Sequence, residues 1–362
     1  MKIALLSPRT IRHEAAGIEQ NVLHIGKYLQ CKGHKVEIFC TAPKPERKTV
    51  FEGLQINEFP AFAPSETYFF SPALYSVLLS FDGEIIHCNG FNNLVSVVGI
   101  LAKKKGQLLI ITMNSSGTTS WLRKALRFPL LWFYQFYSHK IDRVICVSKW
   151  EYEYFKQKLP LPSERFIIIP NGIDVEEFHR VPRKAVPGRI LSVGRLVRNK
   201  GMHRLIEALP MVKDSIPQAE LHIVGTGPEE HALKEQARRL GLENRVIFHG
   251  SYHFSERPCL IKLFRSAKVF ALLTDAESQG IVFGEAAAAG LPILLADKGV
   301  MHEYVAHGAA MGIRNPDSKD EVAKGLIKLL RSSPSTYSSF VWSWEKVGKA
   351  VEKVYLEVWR NK

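Results

Sequence analysis

The sequence has few cysteines and no long hydrophobic run. Its five cysteines are scattered, odd in number and never arranged as a CxxC pair. This usage argues against a disulfide framework or a zinc site, and it favours a reducing compartment. No apolar run approaches the ~18 residues of a membrane-spanning helix, and the apolar start at residues 1–7 is too short for a signal peptide. We therefore expect a cytoplasmic protein.

The sequence also has fewer acidic than basic residues. It contains 35 Asp and Glu and 49 Lys and Arg, which gives a net charge of +14. Such an excess indicates an anionic partner, which could be nucleic acid, an acidic lipid surface or a phosphorylated substrate. Nucleic acid is the least favoured of the three. The sequence contains no zinc-finger or RNP-like motif, and its cations are spread along the chain.

The length of 362 residues favours two domains, and 46% hydrophobic with 23% charged residues is typical of a soluble globular protein. A βαβ unit is predicted at the start: Lys2–Ser7 is a strand, and Ile18, Val22 and Leu29 recur at helical spacing before a strand at 36–40. Further buried strands are predicted at 84–88, 108–113, 142–148, 166–170, 189–193, 221–224 and 246–248. A linker is predicted at 180–188, and an amphipathic helix at 340–359.

Residues 277–285 are the most informative stretch. They lie between two apolar runs, 269–273 and 291–295, each of which predicts a buried parallel strand. A helix starting near Gly280 would leave Glu277 in the preceding loop and Glu285 inside the helix. The free N–H groups of Gly280, Ile281 and Val282 would then form an anion site, with phosphate as the usual guest. Two carboxylates beside that site suggest that the guest also carries hydroxyls, which indicates a sugar nucleotide.

Two further strand-to-helix loops carry similar signals. After the strand at 189–193 come Gly194, Arg195 and Lys200, and two cations five residues apart in such a loop can converge on a diphosphate. A solvated charge pair is the alternative interpretation. After the next strand, Gly225 and Gly227 form a Gly-x-Gly turn, which is weak evidence alone but gains weight from its place between a strand and a helix.

These motifs together resemble the GT-B retaining glycosyltransferases of family 4. Glu277 and Glu285 match the family's E-x7-E segment, and residues 290–292 match the G-x-P that follows. Residues 194–201 resemble its G-R-x4-K-G phosphate clamp, and residues 170–174 resemble its P-N-G-x-D turn. The resemblance covers essentially the whole chain and is strongest from residue 194 to residue 292.

The resemblance implies an α/β protein with two doubly wound Rossmann-like domains that face each other across a cleft. Residues 1–180 would form the acceptor-side domain, with 340–362 crossing back to it. Residues 188–332 would form the domain that binds the nucleotide sugar. The implied activity is transfer of a hexose from a nucleotide diphosphate sugar, a UDP- or GDP-sugar, to a glycan or lipid-linked acceptor with retention of anomeric configuration.

Residue roles follow from the same resemblance. Arg195 and Lys200 would neutralise the leaving diphosphate. Glu277 would grip the transferred sugar or steady positive charge near its ring, and Glu285 would accept the ribose hydroxyls. The other predicted donor-binding residues are Gly17, Gly194, Gly225, Gly227, Gly280, Ile281 and Val282. The sequence has no clear Asp-x-Asp motif, and the cations can act in place of a metal, so no metal or other cofactor is expected.

Two positions depart from the family pattern. Asn114 stands where the family commonly has a histidine; it can hydrogen-bond a sugar or acceptor hydroxyl but cannot titrate near neutral pH. Gln279 stands where the family more often has an aromatic residue, which should alter the shape near the sugar without touching the phosphate donors.

The segment 121–140 is dense in aromatic residues and cations. An interfacial membrane segment has this composition, and so does a buried helix with cationic stems along its rim. Pro129 should divide it into two short helices or restart a helix. Together with the net charge of +14, the segment suggests an acceptor presented at the cytoplasmic face of a membrane and peripheral binding to an anionic membrane surface.

Two other functions are compatible with the sequence. A sugar-nucleotide epimerase of the same fold would share the diphosphate grip but would need no acceptor. A catalytically silent membrane-binding or partner-binding subunit would keep the fold alone. The presence of Arg195, Lys200, Glu277 and Glu285 together argues against the silent subunit.

Overall fold

The computed structural model describes residues 1–12, 17–42, 44–45, 48–61, 70–115, 121–252, 254–334 and 341–360. The chain forms two compact units. The N-terminal unit comprises Met1–Gly172 and Trp344–Lys362, and the C-terminal unit comprises Ile173–Ser343.

The N-terminal unit is built on an eight-stranded sheet in the order β3-β4-β2-β1-β5-β6-β7-β8. Its strands are β1 (Lys2–Ser7), β2 (Lys35–Ala42), β3 (Lys48–Phe51), β4 (Leu54–Pro60), β5 (Ile85–Asn89), β6 (Leu108–Thr112), β7 (Arg143–Cys146) and β8 (Phe166–Ile168). Only the edge hairpin β3–β4 is antiparallel. The central strands are buried on both faces, as their uninterrupted apolar sequence predicts.

Helices flank this sheet. They are α1 (Gly17–Cys31), α2 (Pro72–Ser80), α3 (Leu94–Ala102), α4 (Trp121–Phe136) and α5 (Lys149–Lys158), with 3-10 turns at Ser138–Lys140 and Ser163–Arg165. Pro129 lies inside α4, which is one continuous helix. The expectation of two short helices is therefore wrong.

The last helix, α13 (Trp344–Arg360), returns to the N-terminal unit, as the sequence predicts. The indole of Trp344 stacks on the His24 ring of α1 at 4.5 Å between centroids. Inside the unit, Tyr355 Oη lies 2.6 Å from His87 Nδ1, and the other nitrogen of His87 lies 2.7 Å from Thr112 Oγ1. Burial lowers the pKa of His87 to about 3, so this histidine is a neutral core residue.

The C-terminal unit contains a six-stranded, fully parallel sheet in the order β11-β10-β9-β12-β13-β14. Its strands are β9 (Arg189–Val193), β10 (Glu220–Val224), β11 (Val246–Phe248), β12 (Val269–Leu272), β13 (Ile293–Ala296) and β14 (Met311–Ile313). The helices are α6 (Val175–His179), α7 (Met202–Ser215), α8 (Glu230–Arg239), α9 (Arg257–Ser266), α10 (Ile281–Ala288), α11 (Met301–Ala306) and α12 (Lys319–Leu330), with 3-10 turns at Arg198–Lys200 and Phe254–Glu256.

The two units divide earlier in the chain than the linker predicted at 180–188. Ile173 N–H donates to Trp342 O at 2.8 Å, and both residues belong to the C-terminal unit. Phe178 of α6 packs edge-to-face on Phe264 of α9, with ring centroids 5.6 Å apart. Because α6 is buried against α9, it joins the C-terminal unit. Residues 335–340, between α12 and α13, lie outside the described residues.

Within the described part of the chain, no helix combines the length and the apolarity needed to cross a bilayer. All five cysteines are free thiols: Cys40, Cys88 and Cys146 are buried, and Cys31 and Cys259 are exposed.

Candidate active site

The sheet of the C-terminal unit has one topological switch point, between β9 and β12. The chain moves outward from β9 through β10 to β11, and then returns to the other side of β9 to form β12. Ligands of such sheets bind in a crevice at this point of the carboxyl edge, next to the loops that leave β9 and β12. These loops carry Gly194, Arg195 and Lys200 on one side and Glu277 on the other.

The glycines of the first two loops allow the backbones to touch. A Cβ on Gly225 would lie 2.0 Å from Gly194 O, and one on Gly227 would lie 2.4 Å from Leu196 O. Hydrogen bonds join the same loops, because Leu196 N–H donates to Thr226 O at 2.8 Å. The predicted Gly-x-Gly turn thus fixes the position of the loop that carries Arg195.

The loops after β9 and β12 also pack directly on each other. A Cβ on Gly201 would lie 2.1 Å from Leu273 O, and Asp275 N–H donates to Asn199 O at 2.7 Å. This contact places the Lys200 ammonium on the Glu277 carboxylate as a hydrogen-bonded ion pair. The side chains are 20% and 12% exposed, respectively, so both remain accessible from the crevice.

The N terminus of α10 adjoins this ion pair. Gly280 is the N-cap at φ +74°, a left-handed conformation that glycine adopts without strain. The helix starts at Ile281, as predicted, and the Phe283 N–H already donates to Gly280 O at 3.0 Å. A Cβ on Gly280 would lie 3.7 Å from the Glu277 carboxyl carbon, and one on Gly194 would lie 3.9 Å from Lys200 Cδ. The structure thus brings four predicted residues into one cluster.

Two other predicted donor-site positions belong to the same loops. Arg195 directly follows Gly194 and has an exposed side chain, and Val282 is the second residue of α10. Gln279, at one departure from the family pattern, is fixed through its backbone, because Tyr304 Oη donates to Gln279 O at 3.0 Å.

Glu285 has a partner that the sequence did not indicate. Its buried carboxylate accepts a hydrogen bond from the Arg257 guanidinium, and Arg257 Nε also donates to Glu177 Oε2 at 3.1 Å. The Arg257 guanidinium lies 5.5 Å from the centroid of the Phe178 ring. The two carboxylates raise the pKa of Arg257 against the opposing effect of its burial. Arg257 thus orients Glu285 and balances its charge.

In the N-terminal unit, Asn114 lies just past the carboxyl end of β6. Its backbone is left-handed, at φ +43°, an uncommon conformation that asparagine tolerates better than most residues. Asn171 Nδ2 donates to Asn114 Oδ1 at 3.4 Å, and Asn21 Nδ2 donates to Asn171 Oδ1 at 2.6 Å. Among the described residues, Asn114 Nδ2 and Asn21 Oδ1 are buried and have no partner. This asparagine chain therefore ends in one unsatisfied donor and one unsatisfied acceptor.

Gly17, another predicted donor-binding position, is the first residue of α1, the helix that also carries Asn21. Ala16, which precedes it, and residues 116–117 of the Asn114 loop lie outside the described residues.

Two family models match the chain. One described as "Glycosyltransferase Family 4" matches residues 15–177, and one described as "Glycosyl transferases group 1" matches residues 174–340. The chain is 26% identical to the GPI3 subunit of the Saccharomyces cerevisiae phosphatidylinositol N-acetylglucosaminyltransferase, over 95% of this chain and 80% of that protein. It is 31% identical to the Mycobacterium tuberculosis GDP-mannose-dependent alpha-(1-6)-phosphatidylinositol monomannoside mannosyltransferase, over 47% of this chain and 48% of that protein.

Among solved structures, Anabaena HepE in complex with UDP and glucose superposes with a TM-score of 0.76 at 20% identity, covering 99% of this chain and all of that one. Two α/β units of this kind make up the GT-B fold. The chain belongs to the group 1 glycosyltransferases of family 4. The predicted retention of anomeric configuration fits this family, and the relatives do not favour the epimerase or the silent subunit.

Proposed function

We propose that this glycosyltransferase moves a hexosyl group from a UDP- or GDP-sugar to a lipid-linked hydroxyl. The names of the relatives support both substrates: the Mycobacterium relative uses GDP-mannose, and both relatives act on phosphatidylinositol lipids. HepE was crystallised with UDP and glucose. A soluble glycan acceptor is the alternative, and the assay below distinguishes it.

One observation carries the proposal, namely the cluster at the switch point of the C-terminal sheet. Lys200, Glu277 and the N terminus of α10 lie together there, and the loops around them are held by close backbone contacts. A cation beside helix-start amides binds a diphosphate, and a neighbouring carboxylate binds sugar hydroxyls. A nucleotide sugar is the ligand that presents both groups a few bonds apart.

The reaction breaks the bond between the anomeric carbon and the oxygen of the β-phosphate. The acceptor oxygen forms a new bond to the same carbon on the same face, and the acceptor proton passes to the departing diphosphate. Negative charge therefore grows on the diphosphate in the transition state, where Lys200, Arg195 and the amides of α10 stabilise it. In this scheme no side chain forms a covalent bond to the sugar.

The remaining residues orient the substrates. Glu277 accepts hydrogen bonds from the transferred sugar, and Glu285, held by Arg257, accepts them from the ribose. In the N-terminal unit, the asparagine chain supplies Asn114 Nδ2 as a donor to a sugar or acceptor hydroxyl. Because asparagine does not titrate, this contact is independent of pH near neutrality.

A thermal-shift panel with UDP-, GDP- and ADP-sugars tests the donor, because a ligand that binds only the native state raises the melting temperature. We expect one nucleotide class to stabilise the protein and Lys200→Ala to abolish the shift. The matched control is Lys324→Ala, which removes an exposed lysine of α12 and should leave the shift intact. If no nucleotide sugar stabilised the protein, the proposal would fail.

Transfer is then measured with the stabilising donor and radiolabelled sugar. Label recovered in the organic phase with a glycolipid acceptor supports a lipid-linked hydroxyl, whereas label recovered only with a soluble glycan supports the alternative. We propose that the cations replace a divalent metal, so full activity should persist in excess chelator. Loss of activity in chelator with recovery on adding Mg²⁺ or Mn²⁺ would contradict that role.

A further inference from the structure

Over residues 127–136, the part of helix α4 whose side chains the structure describes, the helix has one buried apolar face and one exposed apolar face. Leu130 and Tyr134 are 7% and 0% exposed and belong to the core. On the outer face, Phe128 is 77% exposed, Trp132 64% and Phe136 62%. These three residues, spaced four apart on adjacent turns of the helix, form what we call the aromatic stripe. The sequence left open whether this segment belongs to the core or binds a membrane. In the structure, one face packs in the core and the other is exposed.

The chain around the aromatic stripe is strongly cationic. Residues 101–160 contain eleven Lys and Arg but only three Asp and Glu, so this sixth of the chain carries +8 of the total +14. Two of the three acidic groups are already engaged. Asp142 pairs with Lys103 at 2.6 Å, and Glu151 is fully buried and accepts hydrogen bonds from backbone amides. The chain segment that contains the stripe therefore carries a net positive charge that attracts anions.

We propose that the aromatic stripe of α4 is the surface through which the N-terminal unit docks on an anionic phospholipid bilayer. Phe and Trp side chains enter the boundary between headgroups and acyl chains, and the surrounding cations bind the anionic headgroups. Either contribution alone is weak, and stable anchoring needs two such signals. This docking does not depend on the transfer chemistry, so it stands whether or not the acceptor is a lipid.

A second copy of the chain is a less suitable occupant. Aromatic side chains bury about 150–250 Å² each. Three of them, at the exposures given above, offer about 400 Å², whereas a stable dimer needs about 800 Å² per partner. The cationic surroundings also disfavour self-association, because two identical faces would bring like charges together. A bilayer has no such size requirement and carries the complementary charge.

The aromatic stripe is coupled to the predicted acceptor loop through Arg127. Its guanidinium lies 4.7 Å from the centroid of the Tyr154 ring and 5.7 Å from that of Phe91, and Nη2 donates to Ser115 Oγ at 3.4 Å. Ser115 directly follows Asn114, and Phe128 directly follows Arg127. A bilayer that holds α4 would therefore also hold the loop that presents Asn114, within the same unit.

Vesicle co-sedimentation of the full chain tests the docking surface. The probes are vesicles of phosphatidylcholine alone and of phosphatidylcholine with about a third phosphatidylglycerol. We expect binding to the anionic vesicles, several-fold weaker at 0.5 M salt because surface charge is screened. Trp132→Ser should weaken binding about tenfold, the usual loss on removing one large apolar contact. The triple variant Phe128→Ser, Trp132→Ser, Phe136→Ser should not bind.

The matched control is Trp359→Ser, which removes a tryptophan that is 40% exposed on α13 of the same unit and should leave binding unchanged. Thermal unfolding of the triple variant, compared with that of the parent, verifies that the variant is folded. Equal recovery on neutral and anionic vesicles at both salt concentrations would overturn the proposal. So would full binding by the folded triple variant, or a parental dimer in sedimentation that the triple variant lacks.

Discussion

Replacing Glu277 by glutamine should separate donor binding from catalysis. In the structure, the Glu277 carboxylate is hydrogen-bonded to the Lys200 ammonium, so each neutralises the other. A diphosphate that binds Lys200 must share the lysine with Glu277 or displace the glutamate from it. Glu277→Gln keeps the side-chain shape but removes a negative charge next to the diphosphate. We therefore expect nucleoside diphosphate affinity to rise while transfer of the sugar falls.

The magnitude follows from the strength of the ion pair. A hydrogen bond between charged groups contributes about 1.5–3 kcal/mol, and roughly half of this remains when one partner becomes neutral. The difference of about 0.75–1.5 kcal/mol corresponds to about a four- to twelvefold gain in affinity. The loss of turnover should be about 10²–10³, as for other preorganised groups that stabilise the transition state.

Isothermal titration with the nucleoside diphosphate of the true donor measures the first effect, and single-turnover transfer measures the second. The control is Glu235→Gln, which removes an exposed glutamate paired only with Arg238 on the surface of α8 and should change neither value. If Glu277→Gln bound the diphosphate more weakly than the parent, competition between Glu277 and the donor would be refuted. If it transferred sugar at the parental rate, Glu277 would have no role in catalysis.

Three further predictions concern the supporting structure. Arg257→Met should cost about 3–5 kcal/mol of unfolding free energy in urea, because it leaves the buried Glu285 carboxylate without its cation; adding Glu285→Gln should recover stability but not nucleotide affinity. Gly225→Ala should cost about 2–4 kcal/mol because its Cβ would overlap a carbonyl oxygen, whereas Gly241→Ala, at φ +64° in open space, should cost only about 1–2 kcal/mol. Because burial lowers the pKa of His87 to about 3, the unfolded chain takes up a proton at this site below pH ~6.5 and the folded chain does not; unfolding free energy should therefore fall by up to about 1.4 kcal/mol per pH unit toward pH 4, and His87→Gln should flatten the decline.

The cluster at the switch point was predictable from the sequence because its signals are local. Apolar runs identify β9 and β12, and glycines with charged residues directly after each run identify the loops. The carboxyl ends of parallel strands lie at one edge of a sheet, so residues that follow neighbouring strands must meet there. The structure adds that Lys200 and Glu277 form an ion pair, a contact that no spacing in the sequence encodes.

Arg257 and the asparagine chain were not predictable in the same way. Arg257 lies at the start of α9, in a sequence typical of an ordinary amphipathic helix. It meets Glu285 of α10 only through the tertiary fold, in which α6 packs on both helices. Asn21 and Asn171 are far apart in the chain and are joined at 2.6 Å only by the assembled N-terminal unit. The P-N-G turn marked Asn171 as a landmark, but nothing in the sequence indicated its partner.

The segment 121–140 shows a different limit of sequence analysis. Hydrophobic periodicity assigns an apolar residue to a helix face, but it does not indicate how many faces of the helix pack against the rest of the protein. In α4 the apolar residues occupy both faces, so composition alone predicts either a core helix or an interfacial one. Tyr134 is fully buried while Trp132, two residues before it, is 64% exposed. Successive residues of a helix point about 100° apart, so Trp132 and Tyr134 lie on nearly opposite faces of α4. The same turns of the helix therefore supply both a core face and an exposed face.

The ion pair between Lys200 and Glu277 also affects which ligands the site binds. Two like-charged groups aimed into a crevice would repel each other, and an isolated cation there would bind any phosphate in its surroundings. Pairing the cation with the carboxylate lowers the affinity of the site for a simple phosphate, because the negative charge of the phosphate repels Glu277. In the proposed reaction, a nucleotide sugar would engage both partners, with its diphosphate on Lys200 and its sugar hydroxyls on Glu277. On this proposal, the ion pair favours the complete donor over phosphate alone.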